Sequence, residues 1–308
     1  MSAPVAPLGA APATAAGRAA VGTANGTFGE LLQGALPGPG EAEGEGRFLV
    51  TLPVARWSTA QFELREPGSG LRVEPAGKSK ARALAAALLK ELGHPPVGVL
   101  SLTSSIPEGK GLASSSADLV ATARAVLAVT GGRVPGRRLG ELLTSIEPTD
   151  GVMYPGVVAF DHRRGVLLRK LGPLPALQVV AVDQGGLVDT LAFNHSAPDF
   201  TQDERRHYAR LLDDLTWAVA DGDLAGVGKV STESAALNQS RMPNRNFAEL
   251  REICREVSGV GLVACHSGTM MGIALDPRQD GYRAQQSLAV RLAGELPGRT
   301  HLYRTLGD

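Results

Sequence analysis

Cysteine is nearly missing from this sequence: Cys254 and Cys265 are the only two in 308 residues. That count excludes a disulfide framework and fits a reducing compartment, so a cytoplasmic protein is expected. Net charge is missing too, because 31 basic residues meet 31 acidic ones. No global field is left to gather nucleic acid or an anionic membrane surface, and neither is expected as a partner. No apolar run approaches the roughly 20 residues needed to cross a bilayer. The histidines show no ligand-like pairing, which gives no reason to expect zinc. Internal repeats and coiled-coil heptads are absent as well.

What remains is a chain with 43% hydrophobic residues, enough for one large domain or two modest ones sharing an interface. Its first twenty residues, "MSAPVAPLGAAPATAAGRAA", are rich in alanine and proline. They lack the basic start and compact apolar centre of a signal peptide, and a disordered leader over 1–20 is expected. Beyond it, "RFLVTLPVARWSTAQFEL" reads as two extended segments broken at Pro53. An alanine-rich helix is expected from Lys78 to Leu92, closed by Gly93, then a strand over "VGVLSLTSSI".

Leu119, Ala123, Val126 and Leu127 recur at helical spacing, and "RRLGELLTSIE" reads as a further helix ending on Glu147. Three short strands follow, then an amphipathic helix carrying Tyr208, Leu211, Leu212, Leu215 and Val219 on one face. Two more helices lead to "GLVACHSGTMMGIALD", which reads as strand, glycine turn, strand, and a helix and a strand close the chain. Strands and helices interleave without strict βαβα alternation, so an α+β fold of two sub-domains is expected, over 21–170 and 171–308.

One stretch buries little and invites a chemical reading. In "PEGKGLASSS", Pro107 stiffens the entry while Gly109 and Gly111 permit backbone angles closed to other residues. Ala113, Ser114, Ser115 and Ser116 then begin the helix with no bulky side chain to block approach. Unsatisfied N–H donors and a partial positive charge at a helix start suit a phosphate, and Lys110 could counter its charge. A serine cap on a glycine loop is the plainer alternative. The stretch is no Walker loop, and "GVGKVS" is none either, with Val230 after the lysine and Asp223 in place of the first glycine. Nor is "GLASSS" the G-x-S-x-G elbow of hydrolases.

"PEGKGLASSSAD" resembles the second signature of the GHMP kinases, P-x-x-x-G-L-x-S-S-A. "GTFGELLQG" at Gly26 to Gly34 resembles the first signature, and "GLVACHSGTMMGIALD" the third, in the order the family requires. Within the family the chain is similar to the L-threonine kinases of cobalamin biosynthesis, through "GELLQG", "SIEPTDG", "AFDH" and "HSGTMMG". It departs from them before Gly29, where "ANGTF" stands in place of a C-P-A-S-C segment.

The resemblance implies the GHMP architecture, with a ribosomal protein S5 domain 2-like N-terminal part and a ferredoxin-like C-terminal part. It also implies ATP bound by Pro107, Gly109, Lys110, Gly111, Leu112, Ala113, Ser114, Ser115 and Ser116, and Mg2+ held by Ser115 and Glu147. Asp150 is the implied base or orienting group for the hydroxyl of a small hydroxy amino acid, with L-threonine the expected acceptor. Glu30, Gln33, Thr149, His266, Ser267, Gly268 and Thr269 are the candidate substrate contacts, and Asn238, Gln239 and Arg241 could line the cleft. A different acceptor such as homoserine or serine, or a nucleotide-binding protein without catalysis, are the rival expectations. A monomer or homodimer is expected.

Overall fold

The computed structural model describes residues 19–38, 46–66, 68–186 and 199–307. The expected leader therefore lies outside the described residues except for Ala19 and Ala20, which open the first strand. That strand, β1 (Ala19–Ala35), pairs along its whole length with β2 (Arg47–Glu63). Both are 17 residues long. The sequence reading assigned β1 no element and broke β2 at Pro53. The break is absorbed instead: Pro53 lies opposite Thr27, beside a register shift between Thr27 and Glu30. A proline lacks the ladder donor, and a bulge is where a strand tolerates that loss.

The remaining strands are β3 (Leu71–Glu74), β4 (Gly98–Ser104), β5 (Val157–Asp161), β6 (Val166–Gly172), β7 (Gln178–Asp183), β8 (Gly261–Ala264), β9 (Met270–Leu275) and β10 (Arg299–Arg304). Among the described residues they form one ten-stranded sheet in the order β10-β7-β9-β8-β1-β2-β4-β3, with β5 on β2 and β6 on β5. Only β3 and β4 pair in parallel. β1 is the junction: Glu30 faces Thr51 of β2 on one side and Ala264 of β8 on the other. The long strand thus ties the two ends of the chain together.

The helices are α1 (Ser79–Glu91), α2 (Ser114–Thr130), α3 (Gly136–Thr144), α4 (Gln202–Asp221), α5 (Leu224–Asn238), α6 (Phe247–Glu256) and α7 (Tyr282–Gly294). In α1 the residues Ala81, Leu84, Ala85, Leu88 and Leu89 are buried, a stripe at three- and four-residue spacing. α2 is buried nearly all round, because it lies between α1 and the β1–β2 ribbon. α4 starts on a capping box made by Thr201 and Glu204 and stops at Gly222. The larger core gathers around β1, β2 and α2; a smaller one gathers β7, β8, β9, α6 and α7. α3 ends at Thr144, so Glu147 lies beyond the helix expected to carry it. Its N–H still reaches Leu143 O at 3.2 Å. No helix among the described residues is long and apolar enough to cross a membrane.

Candidate active site

The turn from β4 into α2 sets the site. Gly109 and Gly111 both take positive φ there, at 68° and 80°, and Ala113 does so at 57°. The turn brings the N-terminus of the 17-residue helix α2 to a cavity of about 290 Å³, with the small residues at positions 113–116 along its wall. Leu112 also lines the cavity, although it is 1% exposed and packs in the core. Its carbonyl accepts from Thr27 N–H at 3.2 Å, which fixes the turn against β1.

Opposite the helix start runs the segment 147–150. Ser115 Oγ donates to Glu147 Oε1, and the other oxygen of Glu147 accepts from Lys80 Nζ. Ser116 Oγ donates to Asp150 Oδ2 at 3.0 Å and accepts from Asp150 N–H at 3.0 Å. Both acids of that segment therefore face the serines of the helix start across the cavity. Glu30 of β1 also lines it, and among the described residues its hydrogen bonds run through Oε2, to His266 N–H at 2.9 Å and Nδ1 at 3.0 Å. Burial pushes the Asp150 carboxyl up to about 7, with Glu30 and Glu147 adding repulsion and Ser116 pulling the other way. A carboxyl poised there can accept a proton or a hydroxyl hydrogen bond near neutral pH.

The third glycine turn closes the cavity from the far side. A Cβ on Gly268 would lie 2.2 Å from Lys110 O and 2.7 Å from Gly111 Cα, so the two glycine turns touch backbone to backbone. Ser267 lines the cavity, while His266 and Thr269 are turned away. His266, 2% exposed, spans Glu30 Oε2 at 3.0 Å from Nδ1 and Ser234 Oγ at 2.9 Å from Nε2. It therefore holds Glu30 rather than a ligand. Thr269 Oγ1 donates to Asp183 Oδ1 at 2.6 Å.

Lys110 pairs with Asp183 at 2.8 Å instead of facing the cavity. Burial acts to raise the Asp183 carboxyl, but hydrogen bonds from Lys110 and Thr269 outweigh it and hold it below the ordinary range. Pro107 is exposed and outside the cavity lining. Of the other residues considered, Asn238 donates to His266 O at 3.5 Å and Gln239 to Ala235 O at 2.9 Å. Arg241 pairs with Glu204 at 3.0 Å. None of these three touches the cavity directly.

Four cavity residues escaped the sequence reading: Lys80, Leu49, Pro148 and His162. The repeated lysines of "GKSKAR" at the start of α1 were a usable signal for the first. Lys80 also belongs to an abutting recess of about 460 Å³, which shares Gly109, Ser114 and Ser115 and is lined further by Lys78 and Asp118. Lys78 Nζ meets Asp118 Oδ2 at 2.6 Å.

The residues also fit a divalent cation. Ser115 and Glu147 offer two hard oxygens, and the ammonium of Lys80 rests on Glu147, where positive charge is wanted. Among the described residues no group of three or more His, Cys, Asp or Glu could hold a metal alone. One hydroxyl and one carboxylate leave the remaining positions to phosphate oxygens and water, the usual arrangement for Mg2+.

A glycine turn feeding a helix start, two serines facing two acids and an abutting recess could together accommodate phosphoryl transfer. The family model for the GHMP kinases N terminal domain matches residues 79–156. The chain is 28% identical over 285 residues to an L-threonine kinase of Salmonella typhimurium, spanning 90% of each chain. It is 31% identical over 258 residues to a 4-diphosphocytidyl-2-C-methyl-D-erythritol kinase of Moorella thermoacetica, spanning 81% of this chain and 85% of that one. Its fold resembles the crystal structure of homoserine kinase from Cytophaga hutchinsonii, with a TM-score of 0.70 at 12% identity over 94% of this chain and 95% of the other. The chain belongs to the GHMP kinases. It is an α+β enzyme of that family, a phosphotransferase with an alcohol group as acceptor; GHMP kinases use ATP as phosphate donor.

Proposed function

We propose that this enzyme phosphorylates the side-chain hydroxyl of L-threonine, giving O-phospho-L-threonine and ADP. The observation that carries the reading is the pairing of Ser115 with Glu147 and of Ser116 with Asp150 across one cavity. Likeness to L-threonine kinases at 28% identity over most of the chain points to the acceptor. That likeness is also what points to a place in cobalamin biosynthesis. A balanced charge and two buried free thiols fit a cytoplasmic setting. Residues 21–170 then carry the nucleotide, and 171–308 complete the acceptor side.

Phosphoryl transfer asks a protein mainly for positioning and charge neutralisation. The backbone N–H groups at the start of α2 bind the phosphate tail, helped by the helix dipole. The nucleoside occupies the abutting recess beside Lys78 and Asp118. Ser115 and Glu147 would hold Mg2+, which neutralises charge on the phosphates when bound. Lys80 sits beside them as a further cation for the same oxygens. Asp150 accepts the hydrogen bond of the attacking hydroxyl, and Ser116 keeps that carboxylate aimed. Glu30 offers its free oxygen to the acceptor's ammonium group, braced by His266.

The test is direct. The purified protein is incubated with ATP, Mg2+ and L-threonine, L-serine or L-homoserine, and products are followed by phosphorus NMR. A phosphomonoester on L-threonine, formed in preference to the other two, is the expected result. Preferred turnover of homoserine or serine would move the acceptor assignment, and consumption of no small alcohol would overturn the reading.

A further inference from the structure

Hydrogen-bonding groups that find no partner inside a folded protein cost free energy, commonly about 1–3 kcal/mol each. They are rare enough that a cluster of them calls for a reason. Here Gln33 Oε1, Thr149 Oγ1 and His162 Nδ1 are all buried without a hydrogen-bond partner among the described residues. All three residues line the cavity of the candidate active site. Thr149 is 1% exposed and His162 5%. The strand register explains why they meet. Gln33 of β1 lies opposite Leu49 of β2, and Leu49 lies opposite Phe160 of β5, two residues before His162. Thr149 N–H donates to His162 O at 3.0 Å, which locks the segment 147–150 to the same end.

Behind this trio stand guanidinium groups. Arg47 is two residues before Leu49 on the same face of β2. Its Nε is a fourth buried atom without a partner, and Arg241 Nε is a fifth. Both side chains are nearly buried and lie over the ring of Phe200, at 5.1 Å and 3.9 Å from its centre. Asp199 is 3.7 Å from Arg47, and Glu204 pairs with Arg241 at 3.0 Å. The His162 imidazole feels the result. Burial, then the charges of Arg163 and Arg47, push it down to about 3. Burial keeps the ring neutral, and the two arginine charges act in the direction that would favour an anion beside it.

We propose that this end of the cavity is a carboxylate subsite: Gln33, Thr149 and His162 hydrogen-bond the carboxylate of the acceptor alcohol, and Arg47 supplies positive charge behind them. The proposal rests on the cavity being the acceptor pocket of a kinase, and it narrows the acceptor class to hydroxy acids. Asp150 at one end and the trio at the other then span the hydroxyl and the carboxylate of one small molecule. A neutral imidazole and a threonine hydroxyl can each donate to a carboxylate oxygen, and the Gln33 amide can turn its NH2 towards it. A phosphate group is disfavoured by size, because the cavity of about 290 Å³ must also admit the terminal phosphate of the donor.

The experiment compares L-threonine with L-threoninamide and L-threoninol, which keep the hydroxyl and lose the carboxylate. Turnover is measured alongside calorimetric binding in the presence of a non-hydrolysable ATP analogue. The acid is expected to exceed both analogues by about 100-fold or more in kcat/KM, mostly through KM. Thr149→Val and Arg47→Met should each raise KM for the acid about tenfold and shrink its advantage over the amide. Arg47→Lys should recover most of that advantage, and unchanged affinity for the ATP analogue shows that each variant is folded. Equal use of acid and amide by the parent protein overturns the subsite, as does an acid-to-amide ratio that neither variant moves. Preference for a phosphorylated alcohol overturns it too. Binding of the acid without turnover would sink the kinase reading and leave the subsite standing; absence of carboxylate binding would sink the subsite itself.

Discussion

Replacing Asp150 by asparagine removes a charge while keeping the shape and the oxygen that accepts from Ser116 Oγ at 3.0 Å. The parent carboxyl is pushed up to about 7 from an ordinary 3.8, chiefly by burial and by Glu30. A carboxyl whose folded value is raised binds its proton more tightly in the native state than in the unfolded one. Its ionisation therefore costs nothing below about pH 4, costs progressively more between about pH 4 and pH 7, and reaches a constant cost above that. At about 1.36 kcal/mol per unit, a shift near three units sets a ceiling of roughly 4 kcal/mol. Asp150 is only partly buried on the cavity wall, and solvent there reduces the effect to about 1–2 kcal/mol.

Asp150→Asn is thus expected to be the more stable protein above pH 7, by about 2–6 °C in Tm, with the gap closing towards pH 4. Turnover should fall by at least about 100-fold with little change in affinity for ATP. Thermal melts across pH, nucleotide titration and phosphoryl transfer on one preparation measure all three. A gap in Tm that does not vary with pH would refute the electrostatic argument. Undiminished turnover would remove Asp150 from the mechanism.

Glu147→Gln should raise the Mg2+ concentration needed for half-maximal turnover by about tenfold, read from a magnesium titration at saturating ATP; an unchanged titration would separate Glu147 from the metal. Gly268→Ala places a methyl group 2.2 Å from Lys110 O, and backbone on both sides cannot yield cheaply. Overpacking of that kind costs about 1–3 kcal/mol. A lower Tm together with at least tenfold weaker nucleotide binding is expected; a variant with the parent's melting and binding would show that the two glycine turns need not touch.

The helices were readable because their signals are local: the alanine-rich run of α1 closed by Gly93, and the apolar face of Tyr208, Leu211, Leu212, Leu215 and Val219 on α4. The glycine turn before α2 was readable for the same reason, as its glycines and serines are adjacent in the chain. β1 was not. Its residues 21–30 include three glycines and few consecutive strand formers, and it is held by partners on both sides, β2 and β8, that no local pattern reveals. Pro53 misled for a related reason, since the bulge that accommodates it belongs to the pairing with β1.

The same division runs through the site. Ser115, Ser116, Glu147 and Asp150 are named by motif and found together. His266 changes character because its partner Glu30 is 236 residues away, and the pair is brought together only where β1 meets β8. Lys110 is diverted to Asp183, and Lys80 takes the place beside Glu147 that no motif marks. Arg47 and His162 enter the picture only through the register of β2 with β5.

The most direct test is a crystal structure with a non-hydrolysable ATP analogue, Mg2+ and L-threonine bound together. The terminal phosphate is predicted to lie at the start of α2, with the threonine hydroxyl about 3–3.5 Å from its phosphorus and hydrogen-bonded to Asp150. A phosphate tail bound away from residues 109–116, or a threonine whose hydroxyl points away from Asp150, would contradict the account.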